Sequence, residues 1–160
     1  MNSVSPEAFR EVMATIPAPV SVITAMDDQR PRGVTVSAFA SLSLNPPMLM
    51  VAIDRNRPIL GVIVATRRFG VNVLGSHQVR TSEVFARSGV DKFADLDWTL
   101  SSGLPRISGS PGWVACELDQ VVNGGDHVIL LGRAVEVAAS EGDGLAYHRR
   151  RYVGYAPLLG

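Results

Sequence analysis

The chain has a single cysteine, Cys116. One cysteine closes no internal disulfide and builds no metal cage, and a reducing cytoplasm fits it. The three histidines, His77, His127 and His148, stand far apart and show no metal spacing, so no metal is expected. There is no run of about 18 or more apolar residues, so no membrane span is expected. The N-terminal MNSVSPEAFREV has neither a basic nor an apolar block and does not read as a signal peptide. There is no charge of either sign to spare: 15 basic and 15 acidic side chains cancel, which argues against general nucleic-acid binding. A local basic cluster, Arg149-Arg150-Arg151, remains. Motifs of nucleotide and acyl chemistry are missing too: no GxGxxG after a strand, no GxxxxGK[ST], no GxSxG, and no carboxylate pair in an apolar setting.

What is present is a chain of 160 residues, 46% hydrophobic, which fits one folded domain over residues 1–160. Ser5-Pro6-Glu7 is a helix start, with a capping hydroxyl, proline in the first turn and an acid near the positive dipole end. Phe9, Val12, Met13 and Ile16 follow at helical spacing and are expected in the core. Strands are expected at 19–26, 32–38, 47–53, 69–74, 112–122 and 127–139, the first two as a hairpin through DDQRPR and the last two through NGGD. Short helices are expected over 58–68, capped by Asn56 and ending in a solvated Arg67-Arg68, and over 78–88, closing at Gly89. Strands and helices do not alternate, so a doubly wound parallel sheet is excluded in favour of a mostly β, small antiparallel barrel with peripheral helices. Cys116 alternates with apolar neighbours and reads as inert core.

One stretch resists a purely structural reading. GVTVSAFASLSLNPP (33–47) places small hydroxyl side chains beside a strand end, where valine or isoleucine would pack better. Taken with RNRP, FGVNVL, FARSGVDKF and GGDHVILLGRAVEV, in that order, the segment resembles the flavin reductase-like family. These are the NAD(P)H-dependent reductase components of two-component flavin monooxygenases. The resemblance spans roughly residues 5 to 157.

It implies an FMN-binding split barrel, an antiparallel Greek-key-like β-barrel that is usually a homodimer. The cofactors it implies are FMN or FAD, with NADH or NADPH as electron donor. It also implies a separate flavin-dependent oxygenase as partner and a cytoplasmic location, with neither nucleic acid nor membrane involved. By resemblance, Thr35, Val36, Ser37, Ala38, Ala40, Ser41, Leu42 and Ser43 hold the ribityl chain, phosphate and part of the ring. A flat ring needs backbone donors and acceptors at close range, and small residues leave them room. Asn56 and Arg57 are implied at the phosphate, Arg57 as a cation at a helix N-terminus. Val73, Leu74, His77 and Gln78 would flank ring or phosphate, while Phe85, Lys92 and Phe93 would close the site, across a subunit interface if the chain dimerises. His127 is implied at the nicotinamide, positioning rather than acting as an acid, with Tyr147, Arg150 and Tyr152 as further dinucleotide contacts.

Plainer readings stay open at each point. His127 can be a turn histidine paired with Asp126, the tail can be solvated with a tyrosine or two docked on the barrel, and Asn72 can serve a neighbouring backbone group. Two other functions remain as alternatives: a split-barrel flavin binder without turnover, and, last, a relative of pyridoxamine-phosphate oxidases, for which the chain is short of phosphate-binding basic residues. FMN against FAD, NADH against NADPH, and prosthetic against diffusing flavin are not separable from sequence.

Overall fold

The computed structural model describes residues 3–155 and 158. Helix α1 (Pro6–Met13) starts as its sequence predicts: Ser5 Oγ accepts the Ala8 N–H at 3.1 Å, and Pro6 occupies the first turn. After the short β1 (Ala18–Pro19) come β2 (Ser21–Asp27) and β3 (Arg30–Val36). These two form the expected hairpin, but through a tighter turn, Asp28-Gln29, with Asp28 in the left-handed region at φ 52°. Arg30, Pro31 and Arg32 therefore belong to the strand. The hydroxyl-rich stretch is itself a strand, β4 (Phe39–Leu44). A cis Asn45–Pro46 peptide joins it to β5 (Pro47–Asp54). Then follow α2 (Ile59–Thr66), β6 (Arg68–Val73), α3 (Val79–Ala86), and a hairpin of β7 (Trp98–Ser101) with β8 (Leu104–Ile107). Two long strands, β9 (Gly112–Gly124) and β10 (His127–Ala139), form the expected hairpin through a tighter turn, Gly125-Asp126, with Asn123 and Gly124 of the expected NGGD turn inside β9.

The main sheet runs β3-β2-β6-β9-β10-β5-β4, with antiparallel pairing throughout. Its edge strands, β3 and β4, are consecutive in sequence and joined by Ser37-Ala38 alone. The sheet therefore curls on itself and brings β3 against β5, while the Ala52 N–H donates to Ala38 O at 2.8 Å as the last rung of the β4–β5 pairing. This is the split barrel. Ile23, Val34, Val51, Ile53, Ile63, Phe69 and Leu130 fill its interior. A second core, with Val20, Val22, Leu74, Phe85, Ile107 and Leu145, lies on the other face. Because β2 is covered on both faces, residues 21–25 are all buried and the alternation visible in its sequence is lost.

Several expectations are corrected. Phe9, Val12, Met13 and Ile16 are not core: they are 61, 64, 45 and 50% exposed, and α1 buries no residue. The amphipathic pattern is real, but nothing among the described residues covers it. Asn56 does not cap α2; Pro58 holds that position, and the Asn56 N–H donates to Asp54 Oδ1 at 2.8 Å. Arg67 is more than a solvated end, since it closes α2 in the left-handed region and its guanidinium donates to the Leu118 and Asp119 carbonyls. The tail is ordered into β11 (Leu145–His148) and β12 (Arg151–Gly154), which build a small sheet on β1. Strand β9 is buried on both faces over its first half, where Trp113 and Ala115 pack with Leu104 of β8.

Polar groups fasten the hairpin to the barrel. Fully buried Asn72 donates toward the Val22 and Pro105 carbonyls and accepts the Ile107 N–H at 2.7 Å, so it does serve neighbouring backbone groups. Glu136 accepts the Ser101 and Ser102 hydroxyls and the Trp113 indole N–H. The two serine hydrogen bonds, ahead of the indole and Arg106, hold its carboxyl below the usual glutamate range. A depressed folded-state pKa contributes stability above the unfolded value of about 4.3 that is lost as pH falls through the folded one. Thermal unfolding of Glu136→Gln should therefore show a deficit against the parent at neutral pH that shrinks as pH drops through this acid range. A deficit independent of pH would refute the assignment.

Candidate functional site

A cavity of about 520 Å³ opens where the start of β3, the start of α2 and the segment after α3 meet. Arg30, Arg32, Arg57, Arg87 and Lys92 line it, against one carboxylate, Asp91. Some of these cations are engaged. Arg32 pairs with Asp27 at 3.0 Å, and Arg57 reaches Ser88 Oγ at 3.3 Å. Lys92 Nζ donates to the carbonyls of Gly33 (3.0 Å) and Phe85 (2.9 Å). Burial first, and the Arg57 guanidinium second, push the Lys92 ammonium below the usual lysine range. Like charges gathered in one concavity are relieved by an anion, so the cavity is electrostatically suited to one.

A glycine makes this arrangement possible. A Cβ on Gly33 would stand 2.4 Å from Phe85 Cε1. Only a bare backbone lets the Phe85 ring lie under β3, where it meets Phe93 edge-on at 5.0 Å, and Phe93 in turn meets Trp98 at 5.5 Å. The structure thus brings Arg57, Lys92 and Phe93 together in the cavity wall, with Phe85 fully buried behind them.

The hydroxyl segment does not line this cavity but continues from it along the same chain. By strand rise, Ser37 lies about 13 Å beyond Gly33. Its members divide. The Thr35 hydroxyl is spent on the Ser82 carbonyl at 2.6 Å, and Val36 is core. Ser37, Ala38, Ala40, Ser41 and Leu42 are exposed, and Ser43 is half-buried. Among the described residues no group hydrogen-bonds the hydroxyls of Ser37, Ser41 or Ser43. Strand β4 bulges between Ser41 and Ser43, which turns successive side chains out of simple alternation.

The remaining predicted residues fall in three places. Leu74 is core and Val73 half-buried. Gln78 is committed to its own turn, accepting from Gly75 N–H (2.9 Å) and Ser110 Oγ (3.2 Å) and donating to Ser108 O (3.0 Å), while His77 beside it is exposed. His127 opens β10 opposite Asp54, with its Nδ1 2.7 Å from Asp126 Oδ1. That contact is the chief reason the exposed Asp126 carboxyl lies below the usual aspartate range. In the tail, Tyr147 and Tyr152 meet edge-on at 5.2 Å, Tyr152 OH lies 2.9 Å from Ser82 Oγ, and Arg150 pairs with Glu11 at the surface.

Two structural residues were given no role by the sequence: Arg55, although it opens RNRP, and Ser82. Arg55 grips the turn that carries His127: its Nε donates to Gly125 O (2.8 Å), its Nη2 to Asn123 Oδ1 (3.1 Å), and its backbone N–H to Asp126 O (3.1 Å). Two residues on, Arg57 enters the cavity, so the β5–α2 connection positions both features. Ser82 holds Thr35 with its carbonyl and Tyr152 with its hydroxyl, joining hydroxyl segment and tail. The Cys116 thiol is buried and raised by desolvation to about 12, which leaves it unreactive. Among the described residues no three His, Cys, Asp or Glu side chains cluster for a metal, and no helix is long and apolar enough to cross a membrane.

Comparison with known proteins gives this geometry a context. Residues 13–156 match the model of the flavin reductase like domain. A flavin reductase of Pseudomonas putida is 36% identical over 160 residues, covering 98% of this chain and 94% of its own length. The stachydrine N-demethylase reductase subunit Stc3 of Rhizobium meliloti is 36% identical over 156 residues. The chain spans 67% of that relative and 50% of a second one from the same organism. Among solved structures, the NADH:FAD oxidoreductase SgcE6 of Streptomyces globisporus, in complex with NAD and FAD fragments, superposes with a TM-score of 0.90 at 30% identity, covering 98% of both chains.

The Gly33 packing yields a direct test. Gly33→Ala forces Phe85 off its position and should cost about 1–3 kcal/mol in denaturant unfolding, as overpacking does. A variant as stable as the parent would mean that the close approach is not maintained.

Proposed function

The chain belongs to the flavin reductase like family, and from that premise we propose that it is an NAD(P)H-dependent flavin reductase that supplies reduced flavin to a separate monooxygenase. One observation carries the reading for this chain's own residues. The cationic cavity lies at the start of β3, and the same chain continues into a segment of small residues whose hydroxyls at Ser37, Ser41 and Ser43 have no partner among the described residues. Cations at one end and free hydroxyls with open backbone beyond fit a phosphate-bearing polyol attached to a flat ring.

In the proposed arrangement, Arg57 and Lys92 hold phosphate, and Ser37 to Ser43 meet the ribityl chain and ring edge. Asn56, His77 and Gln78 border the site through their turns, with Gln78 acting by fixing backbone. Val73, Leu74 and Phe85 support it from beneath, as do Thr35 and Val36. A flavin held there would supply the hydride-accepting ring, and these residues would hold it against the reduced nicotinamide. The residues' task is alignment of two rings, which needs little acid–base help and can supply several kcal/mol of the barrier. His127, fixed by Asp126 and by the Arg55-held turn, positions the nicotinamide end. Tyr147 and Tyr152 contribute aromatic faces on the tail, and Arg150 is available once released from Glu11.

The uncovered face of α1, with Leu42 and the 88% exposed Leu44 of β4, is assigned to a second copy of the chain. Apolar surface of this extent is normally buried in an assembly. The proposal places the protein in a reducing cytoplasm, in keeping with its one free, buried cysteine.

NADH and NADPH oxidation should be negligible alone and begin on addition of FMN, FAD or riboflavin. Flavin binding without oxidation would establish a carrier instead, and absence of both would end the reading. His127→Ala should raise KM for the nicotinamide nucleotide about tenfold, the worth of one strong hydrogen bond, with KM for flavin little changed. Equal effects, or none, would remove His127 from that role. Sedimentation should give twice the mass of one chain, and Phe9→Glu with Met13→Glu should shift it toward monomer; a monomeric parent would refute the dimer.

A further inference from the structure

We propose that the cavity recognises an adenosine diphosphate group, and that it does so as the far end of FAD, making Arg30 and Arg87 the residues that favour FAD over FMN. The inference rests on the flavin reductase reading and deepens it. In the proposed arrangement a single phosphate takes Arg57 and Lys92, the latter fixed to β3 through Gly33 O. The cavity holds more than they use. Arg30 and Arg87 also line it, both exposed, and among the described residues neither pairs with a carboxylate. By contrast, Arg32 is tied to Asp27. With about 520 Å³ of space, the cavity is of the size that encloses a ligand fragment larger than one phosphate. Its wall is also not uniformly polar: Pro31, Pro58, Val90 and Phe93 present apolar surface among the cations. Unpaired guanidiniums beside rigid apolar faces suit a diphosphate carrying a purine, since guanidinium binds phosphate oxygens in a planar fork and stacks on flat rings. Riboflavin offers this cavity nothing, FMN one phosphate, and FAD two phosphates and an adenosine.

Adenosine diphosphate chemistry also occurs in the nicotinamide dinucleotides, so the experiment separates the two sources. Steady-state KM values for riboflavin, FMN and FAD are measured with saturating NADH, in the parent and in Arg30→Gln/Arg87→Gln. ADP serves as inhibitor against FAD and against NADH in turn, and ADP binding is measured by calorimetry. The expected result is that KM for FAD rises about tenfold in the double variant while KM for FMN changes less than about twofold. ADP should compete with FAD and not with NADH, and its calorimetric signal should be lost in the variant. The proposal is overturned if the two flavins shift together, if neither shifts, or if ADP competes with NADH. If no flavin supports turnover, the family-based reading fails by itself, and calorimetry with ADP still decides whether the cavity binds this group.

Discussion

Everything in this molecule depends on the closure of a sheet whose two edges are neighbours in sequence. Laid flat, seven strands would hold β3 and β4 roughly 29 Å apart. The three virtual bonds from Val36 to Phe39 reach at most roughly 11 Å. The sheet has no choice but to curl until its edges meet. Yet among the described residues no ladder joins β3 to β4 or β5; the bond from the Ala52 N–H to Ala38 O only extends the β4–β5 ladder by one residue. The seam therefore leaves strand edges open to a ligand. On the proposed reading the small, hydroxyl-bearing residues keep this seam clear, since a bulky side chain at Ser37, Ala38 or Ala40 would crowd it.

The strands that pair along this sheet were legible because their alternation is a local property. The β2–β3 and β9–β10 hairpins and the start of α1 carry their turn and cap residues in sequence, and the structure has them. What escaped is set by partners distant along the chain. The apolar stripe of α1 reads as core because periodicity shows that a face is apolar, not what covers it. The tail gives no strand signal because β11 and β12 exist through pairing with β1. For the site, the family resemblance supplied the segment from Thr35 to Ser43, but pattern could not separate the hydroxyls. Thr35 is taken by Ser82, whereas Ser37, Ser41 and Ser43 are free, a difference decided by which neighbour each happens to face. Arg30 fits no motif, and Arg55 and Arg87 lie within RNRP and FARSGVDKF without a role that pattern could assign; each matters through contacts across the fold.

Charge follows the same logic. A chain with zero net charge still gathers Arg30, Arg32, Arg57, Arg87 and Lys92 around one cavity, because a hairpin end, a helix start and a post-helical loop each bring one or two. Balance over the sequence says nothing about balance at one point in space. The local cost is visible in Lys92, whose ammonium is disfavoured by burial and by Arg57. An incoming phosphate offsets that cost, so affinity at this point comes partly from relieved repulsion.

How tightly such a site should hold its ligand can be argued from where its cations lie. Arg30 and Arg87 are exposed and Arg57 is half-buried, so their attraction acts through water and is screened within about 8–10 Å at ordinary ionic strength. Only Lys92 acts from a partly desolvated position, and two carbonyls already share its protons. A buried cage of the same five charges would retain a phosphate ligand through many turnovers. On the proposed reading this open, half-engaged set would favour moderate affinity and fast release. Under the proposed function that balance is useful, since reduced flavin has to leave for a second protein. The exposure of these arginines is thus a physical reason to regard flavin as a travelling substrate of this chain, bound firmly enough to align and loosely enough to depart.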